Sequence, residues 1–341
     1  MRNFKPKPLR DQVIVITGAS SGIGRKSAQL MGAKGASVVL AARNEPALES
    51  AAREVASLGG HALVVPTDVS DRAQVERLAA RTVDTFGRID TWINDASVSA
   101  YAYLRSQPIE DIEQILRVNF FGIVHGCQIA IPHLARQGGT LINIGSVLSE
   151  RSIPLQGAYC ASKHAVAGFT ESLRMELDYE KLPINVTLIK PAVIDTPFYT
   201  QAKSSLGKRP KAVPPIYDVS VPAEAIVFAC ENYRRDIYAG GAAAGMAAMQ
   251  QVAPAALDGI MKAGGAFFEG QLTDEPDDGR SNLYRPEPGT GSTEGNNAGR
   301  SHTVALPSPY TSVFELHPAA KQVLAFAVVG GLAAFLVGRR K

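Results

Sequence analysis

Tyr159 and Lys163 stand four positions apart in Tyr159-Cys160-Ala161-Ser162-Lys163, a spacing that puts both side chains on one face of a helix. Ser146 precedes the tyrosine by thirteen positions, and Asn119 lies further upstream in Arg117-Val118-Asn119-Phe120-Phe121-Gly122. These residue types suit proton transfer at an oxygen whose charge changes, as when a carbonyl becomes an alkoxide. A phenol with a free pKa near about 10 is a poor base at neutral pH. A neighbouring ammonium favours tyrosinate and lowers that pKa. Lys163 is the ammonium, Tyr159 the proton donor and acceptor, and Ser146 a hydroxyl able to stabilise charge developing on the substrate oxygen. Asn119, set among apolar residues of a helix, needs polar partners.

A second constellation lies near the start of the chain. Val13-Ile14-Val15-Ile16 is followed by Thr17-Gly18-Ala19-Ser20-Ser21-Gly22-Ile23-Gly24, with a helix beginning near Gly24. Glycines between a strand and a helix let the backbone turn tightly and approach a pyrophosphate, whose charge the helix N-terminus favours. The spacing Gly18, Gly22, Gly24 differs from the usual GxGxxG dinucleotide fingerprint. At the end of the second strand an acid would accept hydrogen bonds from the adenosine ribose and repel a 2′-phosphate. Leu40-Ala41-Ala42-Arg43-Asn44 has Ala42 there instead, followed by Arg43, whose planar fork suits a phosphate. NADP(H) is therefore expected in preference to NAD(H). A hydride carrier beside an acid/base tyrosine makes an oxidoreductase that interconverts a secondary alcohol and a ketone or aldehyde.

Taken together, TGxxxGxG, Ser146, YxxxK and Asn119 resemble the short-chain dehydrogenase/reductase family over roughly residues 10–245. The resemblance implies that Ser20, Ser21 and Ile23 also line the phosphate end of the cofactor, and that Asp68-Val69 contacts the adenine. It implies that Lys163 also holds the nicotinamide ribose and that Asn119 holds a water in a proton relay. Pro191-Ala192-Val193-Ile194-Asp195-Thr196 is similar to the family's Pro-Gly-x-Val-x-Thr segment, so Ile194 and Thr196 would meet the nicotinamide amide and phosphates. Asn94-Asp95-Ala96-Ser97 stands where the family reads Asn-Asn-Ala-Gly. Asn94 keeps the cofactor-side role, while Ser97 shifts or strains the loop if that position needs a positive φ. Ala192 likewise replaces a glycine. Residues 195–220 occupy the family's variable substrate lid, with Phe198, Tyr199, Leu206, Val213, Ile216 and Tyr217 as an apolar lining. Lys203, Lys208, Arg209 and Lys211 crowd the same stretch, which also reads as a solvated basic loop. Relatives dimerise by packing two long helices, here about 109–135 and 159–177, so a homodimer or homotetramer is expected.

Alternating elements must position these residues. Val13–Thr17, Ser37–Ala41, Ala62–Val65, Thr91–Ile93, Thr140–Ile144 and Ile184–Ile189 are short apolar or β-branched runs. Between them Glu45–Leu58, Ala73–Phe86, Ile109–Ala135 and Tyr159–Leu177 are long enough for helices. Such alternation implies parallel βαβ units with right-handed crossovers, an α/β Rossmann-type doubly wound sheet. Residues 1–9 form a solvated leader, 10–245 the catalytic domain, and 246–318 an extension. Around that boundary 241–270 is Ala-, Gly- and Met-rich and reads as a small helical extension, while 271–318 is polar and mostly irregular, a tether.

In the 341-residue chain 45% of residues are hydrophobic and 20% charged, ordinary for a globular protein. A net charge of +3 without a long basic run excludes nucleic acid as a partner. Cys127, Cys160 and Cys230 are too far apart for a CxxC pair, and no metal site is expected. The N-terminus lacks a secretory apolar core, so a cytoplasmic catalytic domain is expected. Val323–Val337 holds fifteen residues without a polar side chain, followed by Gly338, Arg339, Arg340 and Lys341. As a helix it spans about 22 Å, short of the roughly 30 Å hydrocarbon core. Residues 319–341 are thus a terminal hydrophobic helix and a candidate membrane anchor, or else a helix against a partner subunit. A nucleotide-binding regulator without turnover, or a membrane-bound scaffold, is the alternative. Neither has need of Asn119, Ser146, Tyr159 and Lys163 together.

Overall fold

The computed structural model describes residues 4–317 apart from 266, 290, 301 and 302. The expected hydrophobic segment 319–341 lies outside the described residues. Seven parallel strands form the sheet: β1 Val13–Thr17, β2 Ser37–Ala42, β3 His61–Pro66, β4 Thr91–Asn94, β5 Gly139–Ile144, β6 Ile184–Pro191 and β7 Asp236–Ala239. Their order is β7-β6-β5-β4-β1-β2-β3. The chain reverses direction across the sheet between β1 and β4, and a crevice opens there beyond the strand ends. β7 is absent from the sequence reading. It is four residues long, only two of them fully buried, too short to stand out as a run.

Both faces of the sheet are covered, which is why the strands read as continuous apolar runs. Ile14, Ile16, Val38, Leu40 and Ile142 face one core, under α1 Gly22–Gly32 and α2 Glu45–Ser57. Val15, Val39, Trp92 and Leu141 face the other, under α3 Arg72–Phe86, α4 Ile109–Leu134 and α5 Gly157–Tyr179. α6 Ser220–Glu231 completes the first layer. The Asn44 side chain accepts from Ala47 N at 3.0 Å and so sets where α2 starts. α4 passes through a π-helical turn at Arg117–Phe121, an irregularity that centres on Asn119. Among the described residues α4 is the helix long and apolar enough to cross a membrane, but half its most apolar window is buried in this core.

Two regions differ from the sequence reading. The leader is docked where it is described: Leu9 is buried, and Lys7 Nζ lies 2.6 Å from Asp90 Oδ1. The extension is not a tether. After α7 Gly241–Val252 and α8 Pro254–Lys262, the strand Leu272–Pro276 pairs antiparallel with Lys208–Pro210. Leu283 is then fully buried in the α3–α5 core, and Thr311 Oγ1 accepts from Gly240 N at 2.8 Å. The segment has few periodic apolar residues because its polar groups bond to the catalytic domain rather than to a ladder of its own.

Candidate active site

Ser146 follows β5 and opens the short helical turn Val147–Ser149, where its Oγ accepts from Leu148 N at 3.0 Å. Tyr159 and Lys163 lie near the start of α5, buried, with Lys163 Nζ 5.5 Å from the phenol ring centroid. Lys163 Nζ donates to Ile144 O at 2.9 Å, which holds the amine against the end of β5. Burial pushes the Tyr159 phenol well above its usual pKa, and the neighbouring Ser146 and Ser97 hydroxyls only partly offset that. Ser97 Oγ is buried and makes no hydrogen bond of good geometry. Burial also pushes the Lys163 amine down, to about 8.

The Asp95 charge opposes that burial and raises the amine pKa. The Asp95 carboxyl is pushed up to about 7 by burial, against the pull of Lys163 and of the Gly24 N–H. Sequence reasoning saw Asp95 only as a departure from a family motif. A carboxyl in place of an amide was the signal that a charge stands here. Asn94, expected on the cofactor side, is not among the residues that line the cleft. Its amide is spent in the sheet core, accepting from Trp92 Nε1 at 2.8 Å and donating to Asn143 Oδ1 at 2.9 Å. β4 alternates its side chains, so Asn94 faces inward and Asp95 faces the cleft. Asn119 is likewise engaged behind the site: Oδ1 accepts from Val98 N at 2.8 Å, and Nδ2 donates to Val98 O and Ser162 Oγ. Its side chain fastens the β4–α4 loop to α5. Ser97 and Ala192 show no left-handed backbone, so the feared strain does not arise.

The glycine loop closes against β4. Gly18 has φ +77°, and a Cβ there would stand 2.8 Å from Ala96 N. Gly24 packs on Gly18 O behind the loop, while Ser20, Ser21, Gly22 and Ile23 line the cleft. Arg43, Asp68, Val69, Ile194 and Thr196 line the same cleft as Ser146, Tyr159 and Lys163, with Thr196 packed beside Gly22. Arg43 Nη2 donates to Asn282 O at 2.5 Å, whereas Nη1 is buried without a partner among the described residues. Burial lowers the guanidinium pKa, and the Asp68 charge opposes that. An orphaned cationic donor at the far end of a glycine-loop cleft fits a dinucleotide carrying an extra phosphate. Asn282, Glu287 and Gly291 of the extension also line this cleft. No sequence signal marked them, since their contacts are largely main-chain.

Beyond Tyr159 the cleft, about 310 Å³ in all, continues into an apolar chamber. Leu148, Ile153, Phe198, Tyr199, Met246 and Phe267 line it. The Tyr101 side chain is fully buried, and its hydroxyl has no hydrogen-bond partner among the described residues. Of the expected lid residues Phe198, Tyr199 and Val213 line the cleft, whereas Leu206 and Ile216 pack into small cores and Tyr217 into the core under α1 and α2. The lid's basic residues are not simply solvated. Lys203 pairs with Asp111 at 2.7 Å, Lys208 with Asp274 at 3.6 Å, and Arg209 with Asp278.

The short chain dehydrogenase family model matches residues 12–206. The chain belongs to the short-chain dehydrogenase/reductase family. It is 38% identical over 341 residues to Uncharacterized oxidoreductase YxnA of Bacillus subtilis (strain 168), covering 99% of this chain and 93% of that one. It is 38% identical over 207 residues to Dehydrogenase/reductase SDR family member 7B of Mus musculus, or 59% of this chain and 63% of that one. The structure is similar to a short chain dehydrogenase/reductase from Burkholderia phymatum in complex with NAD, at 28% identity and a TM-score of 0.65. That match covers 74% of this chain and 95% of the other. As a short-chain dehydrogenase/reductase the protein is an oxidoreductase acting on CH–OH donors.

Proposed function

We propose that this enzyme transfers a hydride between NADP(H) and a carbonyl compound, a ketone interconverting with its secondary alcohol or an aldehyde with its primary alcohol, with Tyr159 as general acid/base. One observation carries the reading: Ser146, Tyr159 and Lys163 meet at one end of a cleft whose other end holds the unpartnered Arg43 Nη1. The cofactor, when bound, supplies or accepts the hydride. Gly18, Ser20, Ser21, Gly22, Ile23, Asp68, Val69, Ile194 and Thr196 hold it, with Gly24 shaping the loop and Arg43 reading the 2′-phosphate. In reduction Tyr159 gives its proton to the substrate oxygen as negative charge develops there, and Ser146 donates a hydrogen bond to the same oxygen. Burial keeps the phenol protonated in the resting site, which suits the donor role. Lys163 then stabilises the tyrosinate, and Asp95 keeps Lys163 charged near neutral pH. Asn119 acts as a positioning residue behind α5.

The chamber's apolar walls select a bulky apolar carbonyl compound over a sugar. Monitoring NADPH absorbance against a panel of apolar ketones and aldehydes tests this reading. Turnover with none of them, or with NADH alone, contradicts it. Exposed Phe121 on α4 and Met175 on α5 support assembly through these two helices into a homodimer or homotetramer. Light scattering that finds only monomer contradicts that assembly. The apolar run Val323–Val337 supports membrane contact by a cytoplasmic enzyme. Full-length protein staying in a high-speed supernatant without detergent contradicts it.

A further inference from the structure

Residues 281–297 contain almost no helix or strand, yet they follow the mouth of the nucleotide cleft from one end to the other. Asn282 O accepts from Arg43, and the carbonyls of Glu287 and Gly289 accept from Asn44 Nδ2 at 2.6 and 3.2 Å. Ser292 O accepts from Gly22 N at 2.9 Å. Asn297 donates through its main-chain N and Nδ2 to Asp195 Oδ1 at 2.7 and 3.0 Å, and through Nδ2 to Thr196 O at 2.6 Å. The segment thus touches in turn the residues assigned to the 2′-phosphate, the pyrophosphate and the nicotinamide side.

Its two ends and its middle are held differently. Leu283 and Asn297 are fully buried anchors. Between them most of the described residues are exposed, and the backbone turns at Gly289 and Gly291 with φ +108° and +70°. Gly291 rests on the glycine loop so closely that a Cβ would stand 2.3 Å from Ser20 O. Gly22 is the first residue of α1, where free N–H groups would receive a phosphate. The Ser292 carbonyl sits on one of those donors. A polar oxygen therefore occupies part of the phosphate cradle.

We propose that residues 281–297 are a strap that completes the dinucleotide site, lifts between its buried anchors to admit the cofactor, and sets the rate of its release. The proposal rests on the cofactor reading above. Three main-chain carbonyls of the middle section, from Glu287, Gly289 and Ser292, are what an incoming dinucleotide must displace or pass beneath. Similarity to YxnA runs through this segment as well, since it covers 99% of the chain. The strap lies wholly beyond the part matched by the family model, which ends at residue 206.

The test uses the full chain. NADPH release is followed by stopped-flow displacement, reading nicotinamide fluorescence, in the parent, Gly291→Val and Asn297→Ala. Gly291→Val forces the middle off Ser20, and Asn297→Ala frees one anchor. Release on the order of tenfold faster in the first and at least about threefold faster in the second is expected from the loss of one to three hydrogen bonds. Gly259→Ala, on α8 with open space around it, should leave the rate unchanged. Hydrogen exchange of amides 281–297 in the parent should slow when NADPH binds. If Gly291→Val does not fold, Asn297→Ala and the exchange measurement carry the test. Release within twofold of the parent in the folded variants, with exchange indifferent to NADPH, overturns the strap. A parent that binds neither NADPH nor NADH overturns the cofactor reading instead, and the strap with it.

Discussion

Asp95→Asn isolates the charge that the enzyme has placed beside its lysine. The amide keeps the shape of the carboxyl and can still accept from the Gly24 N–H, so only ionisation is lost. In the folded protein the carboxyl sits at about 7 against an ordinary 3.8, with burial as the main cause. At about 1.4 kcal/mol per pKa unit, keeping it ionised above that pH costs the fold on the order of 4 kcal/mol as an upper bound. The side chain is partly open to the cleft, so screening and water entry reduce this to about 1–2 kcal/mol. The folded state holds a proton that the unfolded state releases between pH 3.8 and about 7, so stability falls as pH rises through that window. Asp95→Asn should therefore melt like the parent near the acid end and a few degrees above it at pH 8. Losing the carboxylate also removes what raises the Lys163 pKa from below about 8, so the alkaline limb of kcat/KM should move to lower pH. Thermal melts across the pH range and a pH–rate profile check both. A melting difference independent of pH, or an alkaline limb that stays in place, refutes the pairing.

Arg43→Ala should weaken NADPH binding by about 1–3 kcal/mol, the loss of a charged hydrogen bond, and NADH binding far less. Titration of each cofactor by fluorescence checks this, and equal losses contradict the 2′-phosphate reading. Tyr101→Phe removes a buried hydroxyl that has no partner, so the unfolding midpoint should stay or rise by the equivalent of about 1 kcal/mol. A clear fall in a denaturant melt would mean that the hydroxyl is bonded in solution.

Much of the sheet was legible because both its faces are covered, which turns six strands into apolar runs bounded by glycine or polar residues. β7 escaped because Asp236 and Tyr238 interrupt a four-residue strand. Of the residues that local motifs mark, Gly18, Ser146, Tyr159 and Lys163 line one cleft, whereas Asn94 and Asn119 are bonded away from it. The misreadings concern direction and partners rather than residue type. Asn94 and Asp95 are adjacent, and which of them faces the cleft depends on the phase of β4. The strap was read as a tether because it buries little of its own apolar surface. Its order comes from main-chain carbonyls meeting Arg43, Asn44 and Gly22, and main-chain bonding leaves no trace in side-chain patterns.

In the proposed reaction Tyr159 transfers the proton while the rest of the cleft binds the cofactor. Tyr159→Phe, assayed by single-turnover reduction of a good carbonyl substrate with NADPH, tests it most directly. The account predicts a loss of at least on the order of 10²-fold in the reduction rate with NADPH affinity nearly unchanged. A variant that reduces the substrate at the parent rate would contradict it.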